Sequence, residues 1–223
     1  MLEGTNPDLT DKDFLAAILR FALPRKSVKP AVDALLTRFG SVACVVGAPT
    51  SALYSVVDLG ETGVAALKTI HAAALRLLRA RVIGRSVVEF HSALIHYLTA
   101  AMAYEPREQV RVLFIDHHQR FLADETIFHG TTNHTPAYPR EIMKRMLERR
   151  APAIIIAHNH PSGDPNPSAE DIRTTFDLEM ACIAVGLELF DHLVIGVNGW
   201  YSFWQSGHIV RNHSGRSGYD GLQ

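Results

Sequence analysis

The stretch "AIIIAHNHPSGDPNPSAEDIRTT", residues 153–175, decides how this chain is read. It opens apolar, runs into two histidines, and then packs three prolines and a glycine between positions 161 and 167. Ile154, Ile155 and Ile156 predict a buried strand with His158 and His160 at its end. Strand side chains alternate with period two, so both imidazoles project to one side and Asn159 to the other. Pro161, Gly163, Pro165 and Pro167 stop the strand and stiffen a tight loop. Ser168 then opens a helix that runs to Gly186, with Asp171 in its first turn. Two imidazoles and one carboxylate suit a tetrahedral Zn²⁺ and leave a fourth position for water.

Each residue also has a plainer reading. Ser168 followed three places later by an acid is a capping pair, and an acid in the first turn suits the helix dipole. The histidines alone read equally well as loop residues beside prolines. Asp164 lies in the same loop and competes with Asp171 as a ligand. His192, in "FDHLVIG", reads either as a satisfied core histidine or as a support for a metal ligand. The adjacent letters His158, Asn159 and His160 do not form a nuclease motif, whose like-named residues stand tens of positions apart.

Outward from this stretch the chain divides in character. Residues 1–10 read as a loose lead-in. Residues 11–85 are helical in pattern: "DKDFLAAILRFAL" ends at Pro24, "VKPAVDALLTRFG" has Pro30 near its start and Gly40 past its end, and a third amphipathic run begins at Gly63. Residues 86–99 predict a connector helix. Residues 100–208 predict an α/β domain: two strands around a turn at His117–Arg120, a helix over "PREIMKRMLERRAP", the strand and helix that flank the proline loop, and two strands around Asn198–Gly199. Residues 209–223 are polar and Gly/Ser-rich and read as a flexible tail.

At 223 residues and 47% hydrophobic, the chain is long enough for one good core with a smaller module beside it. A net charge of −1 excludes a global electrostatic pull on nucleic acid. Its distribution is uneven, with 11 Lys/Arg against 8 Asp/Glu in residues 1–90 and 11 against 15 beyond. Cys44 and Cys182 lack any CxxC spacing and read as reduced core residues. No apolar run nears the roughly 18 residues that span a bilayer, and "MLEGTNPDLTDKD" lacks the apolar core of a signal peptide. The expectation is a cytoplasmic protein without membrane contact.

The spacing His158-x-His160, seven residues, Ser168, two residues, Asp171 resembles the JAMM motif of the JAB/MPN metalloprotease superfamily. The fuller string, with "DHLVIG" after it, looks like the RadC-like branch. The resemblance is close over residues 100–208 and looser over the helical front. It implies an α/β (α+β) fold: a curved mixed β-sheet flanked by helices, preceded by a small helix-hairpin-helix-like module. It also implies zinc on His158, His160 and Asp171, and a water that attacks a peptide or isopeptide bond of a peptide or protein substrate. A glutamate takes the proton of that water. Of Glu89, Glu105, Glu108, Glu125, Glu141 and Glu148, the resemblance points to Glu125, which precedes Gly130 in an early strand. An edge-strand surface charge is its plainer reading. The resemblance makes Ser168 an oxyanion donor, a role compatible with capping.

Two other functions stay in view. One is a DNA-associated accessory protein, as the traditional naming of the branch implies. The other is a metal-free scaffold, which the filled ligand positions disfavour. For DNA, a helix-hairpin-helix turn offers backbone N–H groups to phosphate, and "DLGETGVAALK" is the corresponding place. Glu61 falls inside that turn and would repel a phosphate. Lys68, Arg76, Arg79, Arg81 and Arg85 form either a basic stripe or a solvated helix face. The expectation is weak, non-specific DNA binding at most. The loops at 129–138 and 161–167, which would select a substrate, carry no recognisable code.

Overall fold

The computed structural model describes residues 9–24, 27–129 and 138–209. Residues 1–8 of the expected lead-in (1–10), residues 210–223 of the expected tail (209–223) and most of the 129–138 loop lie outside the described residues. Contacts divide the chain into two units, Met1–Val82 with Phe90–Arg107, and Ile83–Glu89 with Glu108–Gln223.

The first unit is helical. It contains α1 (Asp11–Ala22), α2 (Lys29–Phe39), α3 (Val42–Gly47), α4 (Thr50–Tyr54), α5 (Gly60–Ala80) and α6 (His91–Met102). Gly40 ends α2 at φ +84° as expected, while Thr10, read as part of the loose lead-in, caps α1 by accepting from the Asp13 N–H. Leu15, Leu19, Leu35, Leu53, Leu59 and Leu67 are fully buried in one core. Three details differ from the sequence reading. The short helices α3 and α4 carry too few turns to show a period. Glu61 stands in the first turn of α5, where its charge favours the helix dipole. Lys68 is turned inward and donates to the carbonyls of Val46 and Gly47 at 3.1 and 3.5 Å. Burial lowers its pKa, against the opposing pull of the Glu105 charge.

The segment read as a connector helix over 86–99 is partitioned differently. The helix is α6, residues 91–102, and it packs on α5 within the helical unit. Residues 83–89 instead run along the second unit, where Gly84 and Val87 donate to the carbonyls of Phe121 and Gln119. Val87 is buried there and Ser86 bridges to Arg120, so this stretch serves the second unit and not a first helical turn.

The second unit holds β1 (Gln109–Ile115), β2 (Phe121–His129), α7 (Tyr138–Arg149), β3 (Ala153–Asn159), α8 (Ala169–Ala184), β4 (Glu188–Gly196) and β5 (Gly199–Ser202). The strands form one mixed sheet in the order β2-β1-β3-β4-β5. β3 and β4 are parallel and the other neighbours antiparallel, because α8 supplies the crossover that a parallel pair needs. One face of this sheet carries α7 and α8: Val112, Ile154, Ile156 and Val194 pack with Ile142 and Met146 of α7 and Leu178 and Cys182 of α8.

Two features shape the end of β3 and the loop beyond it. The β3–β4 register shifts between Ile154 and Ile155, pairing Ile154 with Leu189 but Ile155 with Asp191. This bulge at Phe190 brings His192 level with Ile156 on the helix-covered face. The second feature is the seat of the proline loop. Gly163, at φ +85°, accepts at its carbonyl from the Asn198 N–H, and a Cβ at Gly196 would overlap that carbonyl oxygen. Glycine at both positions lets the loop close onto the end of β4.

Candidate metal centre

β3 ends as the isoleucine run predicts, with every residue from Ala153 to Asn159 buried. His158 and His160 reach the same side, and α8 begins beside them. The His158 Nε2 to His160 Nε2 distance is 3.0 Å. Asp171 Oδ1 lies 3.2 Å from His158 Nε2, and Asp171 Oδ2 lies 3.4 Å from His160 Nε2. Among the described residues this is the one trio of His, Cys, Asp or Glu with metal-ligand spacing. A tetrahedral ion with bonds of about 2.0–2.1 Å holds its donor atoms roughly 3.3 Å apart. The spacing therefore fits zinc, and so does the donor set.

The other ring nitrogens are occupied. His160 Nδ1 meets the carbonyl of Asp164 at 2.8 Å. A carbonyl only accepts, so that nitrogen carries the hydrogen and Nε2 faces the trio. His158 Nδ1 meets His192 Nε2 at 2.8 Å. The Asp164 carboxylate is turned to its own loop, accepting from the backbone and side chain of Asn166, and so does not compete with Asp171.

Ser168 is the N-cap of α8, and with Asp171 it forms a full capping box. The Asp171 N–H donates to Ser168 Oγ at 3.1 Å, and the Ser168 N–H donates to Asp171 Oδ2 at 2.7 Å. The Ser168 hydroxyl also lies 2.6 Å from that same Oδ2. The two readings of these residues merge here: the cap that starts the helix also orients the carboxylate.

The electrostatics are those of a site that wants a cation. Partial burial pushes the Asp171 pKa upward, but the neighbouring imidazoles of His158 and His160 and the Ser168 hydroxyl outweigh it and hold the carboxyl far below its usual range. The hydrogen bond to Asp171 raises the His160 pKa against the opposing effect of burial, with help from the Asp164 carbonyl and the charge of Glu108. Burial, and then the neighbouring His158, push His192 well below the ordinary histidine value.

Glu125 is not beside this trio. It lies on β2 opposite Val112, and its carboxylate pairs with Arg145 at 2.9 Å and with Arg149, both on α7. β2 is two strands from β3, roughly 10 Å. A different acid bears on the trio: the charge of Glu108 helps raise the His160 pKa. The β1–β3 ladder ends with Val110 opposite His158. Beyond that pair the backbone ladder stops, and Glu108 stands just before β1, exposed. Asn159 secures this end: its Oδ1 accepts from the Gln109 N–H at 2.9 Å in a buried hydrogen bond. The sequence placed Glu108 at a polar entry to a strand, but the strand that pairs with this one was not visible.

A family model described as the RadC-like JAB domain matches residues 88–208. The chain belongs to the RadC-like JAB family. A UPF0758 protein of Rhodobacter capsulatus is 47% identical over 206 residues, covering 92% of this chain and 96% of that protein. Another, from Ruegeria pomeroyi, is 43% identical over 208 residues, 93% of each. The match to the RadC-like JAB domain contains the whole five-stranded sheet and the His158–His160–Asp171 trio, and membership relates the chain to the JAMM superfamily. The relatives extend the likeness through most of the helical unit as well. Among the described residues no helix is long and apolar enough to cross a membrane.

Proposed function

We propose that this RadC-like protein is a zinc-dependent hydrolase of the JAMM type acting on a peptide or isopeptide bond of a protein or peptide. The observation that carries the reading is the convergence of His158 Nε2, His160 Nε2 and the Asp171 carboxylate at 3.0–3.4 Å. Zinc held there supplies Lewis acidity and lowers the pKa of the water it coordinates. Glu108, exposed just before β1 and bearing on His160 through its charge, is assigned the proton. It replaces Glu125, whose carboxylate is spent on Arg145 and Arg149. The protonated base then serves the leaving amine as a general acid. Ser168 steadies Asp171, and its hydroxyl is assigned the further task of turning from Asp171 to the substrate carbonyl as charge develops there.

The test is metal content together with hydrolysis. Untagged protein is expected to hold one zinc per chain and to cleave members of a panel of quenched peptides and isopeptide-linked conjugates, with chelation ending the cleavage. A His158→Ala, Asp171→Ala double variant that keeps its zinc equivalent would sink the ligand assignment. Zinc affinity is also expected to fall with pH. The raised His160 pKa means that its proton is lost only above the ordinary value near 6.5. Metal must displace that proton, so affinity is full above the raised pKa and declines as pH falls through it. A flat affinity between about pH 8 and 6, bracketing the usual histidine range, would contradict this.

For the helical unit we propose weak, non-specific DNA contact at most. Lys68, the first member of the basic stripe, is committed to the carbonyls of Val46 and Gly47, and Glu61 occupies the first turn of α5. Binding to duplex DNA is expected to vanish between about 50 and 200 mM salt, since counterion release controls such contacts. Salt-resistant binding that prefers branched DNA would favour the DNA-associated accessory role instead.

A further inference from the structure

From the hydrogen-bond chain running from His158 through His192 and Thr175 to the Asp171 carbonyl, we infer that Thr175 and His192 are positioning residues that fix the His158 tautomer and keep its Nε2 bare for the metal. The inference deepens the zinc reading and rests on it. It concerns residues outside the ligand set, which act through His158.

The direction of the chain is set by its last member. Thr175 Oγ1 lies 2.6 Å from the carbonyl oxygen of Asp171, one helical turn earlier in α8. A carbonyl has no hydrogen to give, so the threonine donates its single hydrogen there. Thr175 Oγ1 also lies 2.5 Å from His192 Nδ1. With its hydrogen already committed, the hydroxyl accepts, and His192 Nδ1 carries the N–H. A neutral imidazole has one N–H, so His192 Nε2 is an acceptor. His158 Nδ1, 2.8 Å away, donates to it. That leaves His158 Nε2 without a hydrogen, aimed at His160 and Asp171.

The surroundings hold the chain in this state. His192 and Thr175 are each 2% exposed, so water does not supply alternative partners. Phe203 stacks on the His192 ring at 4.7 Å and 10°, which fixes its plane. Asp171 acts at both ends, offering a carboxylate to the trio and a carbonyl to the relay. His160 needs no relay, since the Asp164 carbonyl sets its tautomer directly. The alternative arrangement is specific: with the relay reversed, His158 would carry its hydrogen on Nε2 and could not ligate.

Thr175→Val keeps the shape of the side chain and removes the hydroxyl. It leaves His192 Nδ1 without an acceptor and releases the relay to reverse. Zinc affinity, measured by competition with a chromophoric chelator on the full chain, is expected to weaken by about 10–100-fold, the usual cost of losing such a support. Thr175→Ser, which restores the hydroxyl, is expected to restore affinity. A second measurement does not involve metal: nitrogen-15 long-range correlation spectra of the zinc-free wild type should place the His158 hydrogen on Nδ1, and those of Thr175→Val should move it toward Nε2. Wild-type affinity in Thr175→Val overturns the inference, and so does a zinc-free wild type with the hydrogen on His158 Nε2. The wild-type spectrum decides the matter if Thr175→Val does not fold. Failure of the wild type to take up zinc, with the Nδ1 hydrogen in place, would refute the metal reading and leave the relay standing.

Discussion

Glu108→Gln is expected to keep its zinc and to lose hydrolysis by roughly 10²–10⁴-fold, the span that a positioned general base contributes. Glutamine preserves the shape of the side chain but cannot accept the proton. Zinc retention is expected because Glu108 is outside the ligand trio. The companion variant Glu125→Gln separates the two candidate acids. Glu125 is part-buried against Arg145 and Arg149, and half-exposed ion pairs of this kind contribute about 0–1 kcal/mol. Its loss should lower the melting temperature slightly and leave turnover near the wild-type level. Both are measured as kcat on whichever peptide the wild type cleaves, with metal analysis alongside. The reverse pattern, an inactive Glu125→Gln beside a fully active Glu108→Gln, would return the base to β2. Loss of zinc from Glu108→Gln would instead make that acid a ligand.

The contrast between the two acids shows what was legible in the sequence. Period-two alternation put His158 and His160 on one side of a strand, and the Ser168–Asp171 spacing announced a helix start. Both are local rules, and the structure obeys them. The proton acceptor depends on which strand lies against β3, and nothing local records that. Proximity of an acid to glycine in "ADETIFHGT" pointed to Glu125, whose carboxylate faces Arg145 and Arg149, whereas Glu108, just before the strand that pairs with β3, bears on His160 through its charge. His192 was obscured in the same way. Its place behind His158 depends on the bulge at Phe190, and an unbroken β4 would have turned Asp191 and Leu193 to that face. Thr175 gave no signal at all, being one of two adjacent threonines in a helix, and only the carbonyl one turn earlier gives it a direction. In the helical unit, α3 and α4 escaped because five or six residues hold less than two turns of any period.

Ser168→Ala is expected to lower kcat by roughly 10²-fold, to weaken zinc binding by about tenfold, and to lower the melting temperature by a few degrees. The three effects have separate causes. As the N-cap of α8, Ser168 accepts from the Asp171 N–H, and losing a cap costs about 1 kcal/mol. As a partner of Asp171 Oδ2 at 2.6 Å, it orients a ligand. If its one hydrogen turns from Asp171 Oδ2 to the substrate carbonyl as charge develops there, the interaction gains strength only in the transition state and so appears in kcat. Measuring turnover at saturating zinc removes the second cause from the third, and turnover per folded molecule removes the first. Ser168→Asp restores a capping carboxylate while setting a negative charge beside Asp171, so it should recover the melting temperature and remain inactive. If Ser168→Ala regains wild-type kcat once zinc is saturating, the serine only caps the helix and steadies Asp171, and the oxyanion must find its donor elsewhere.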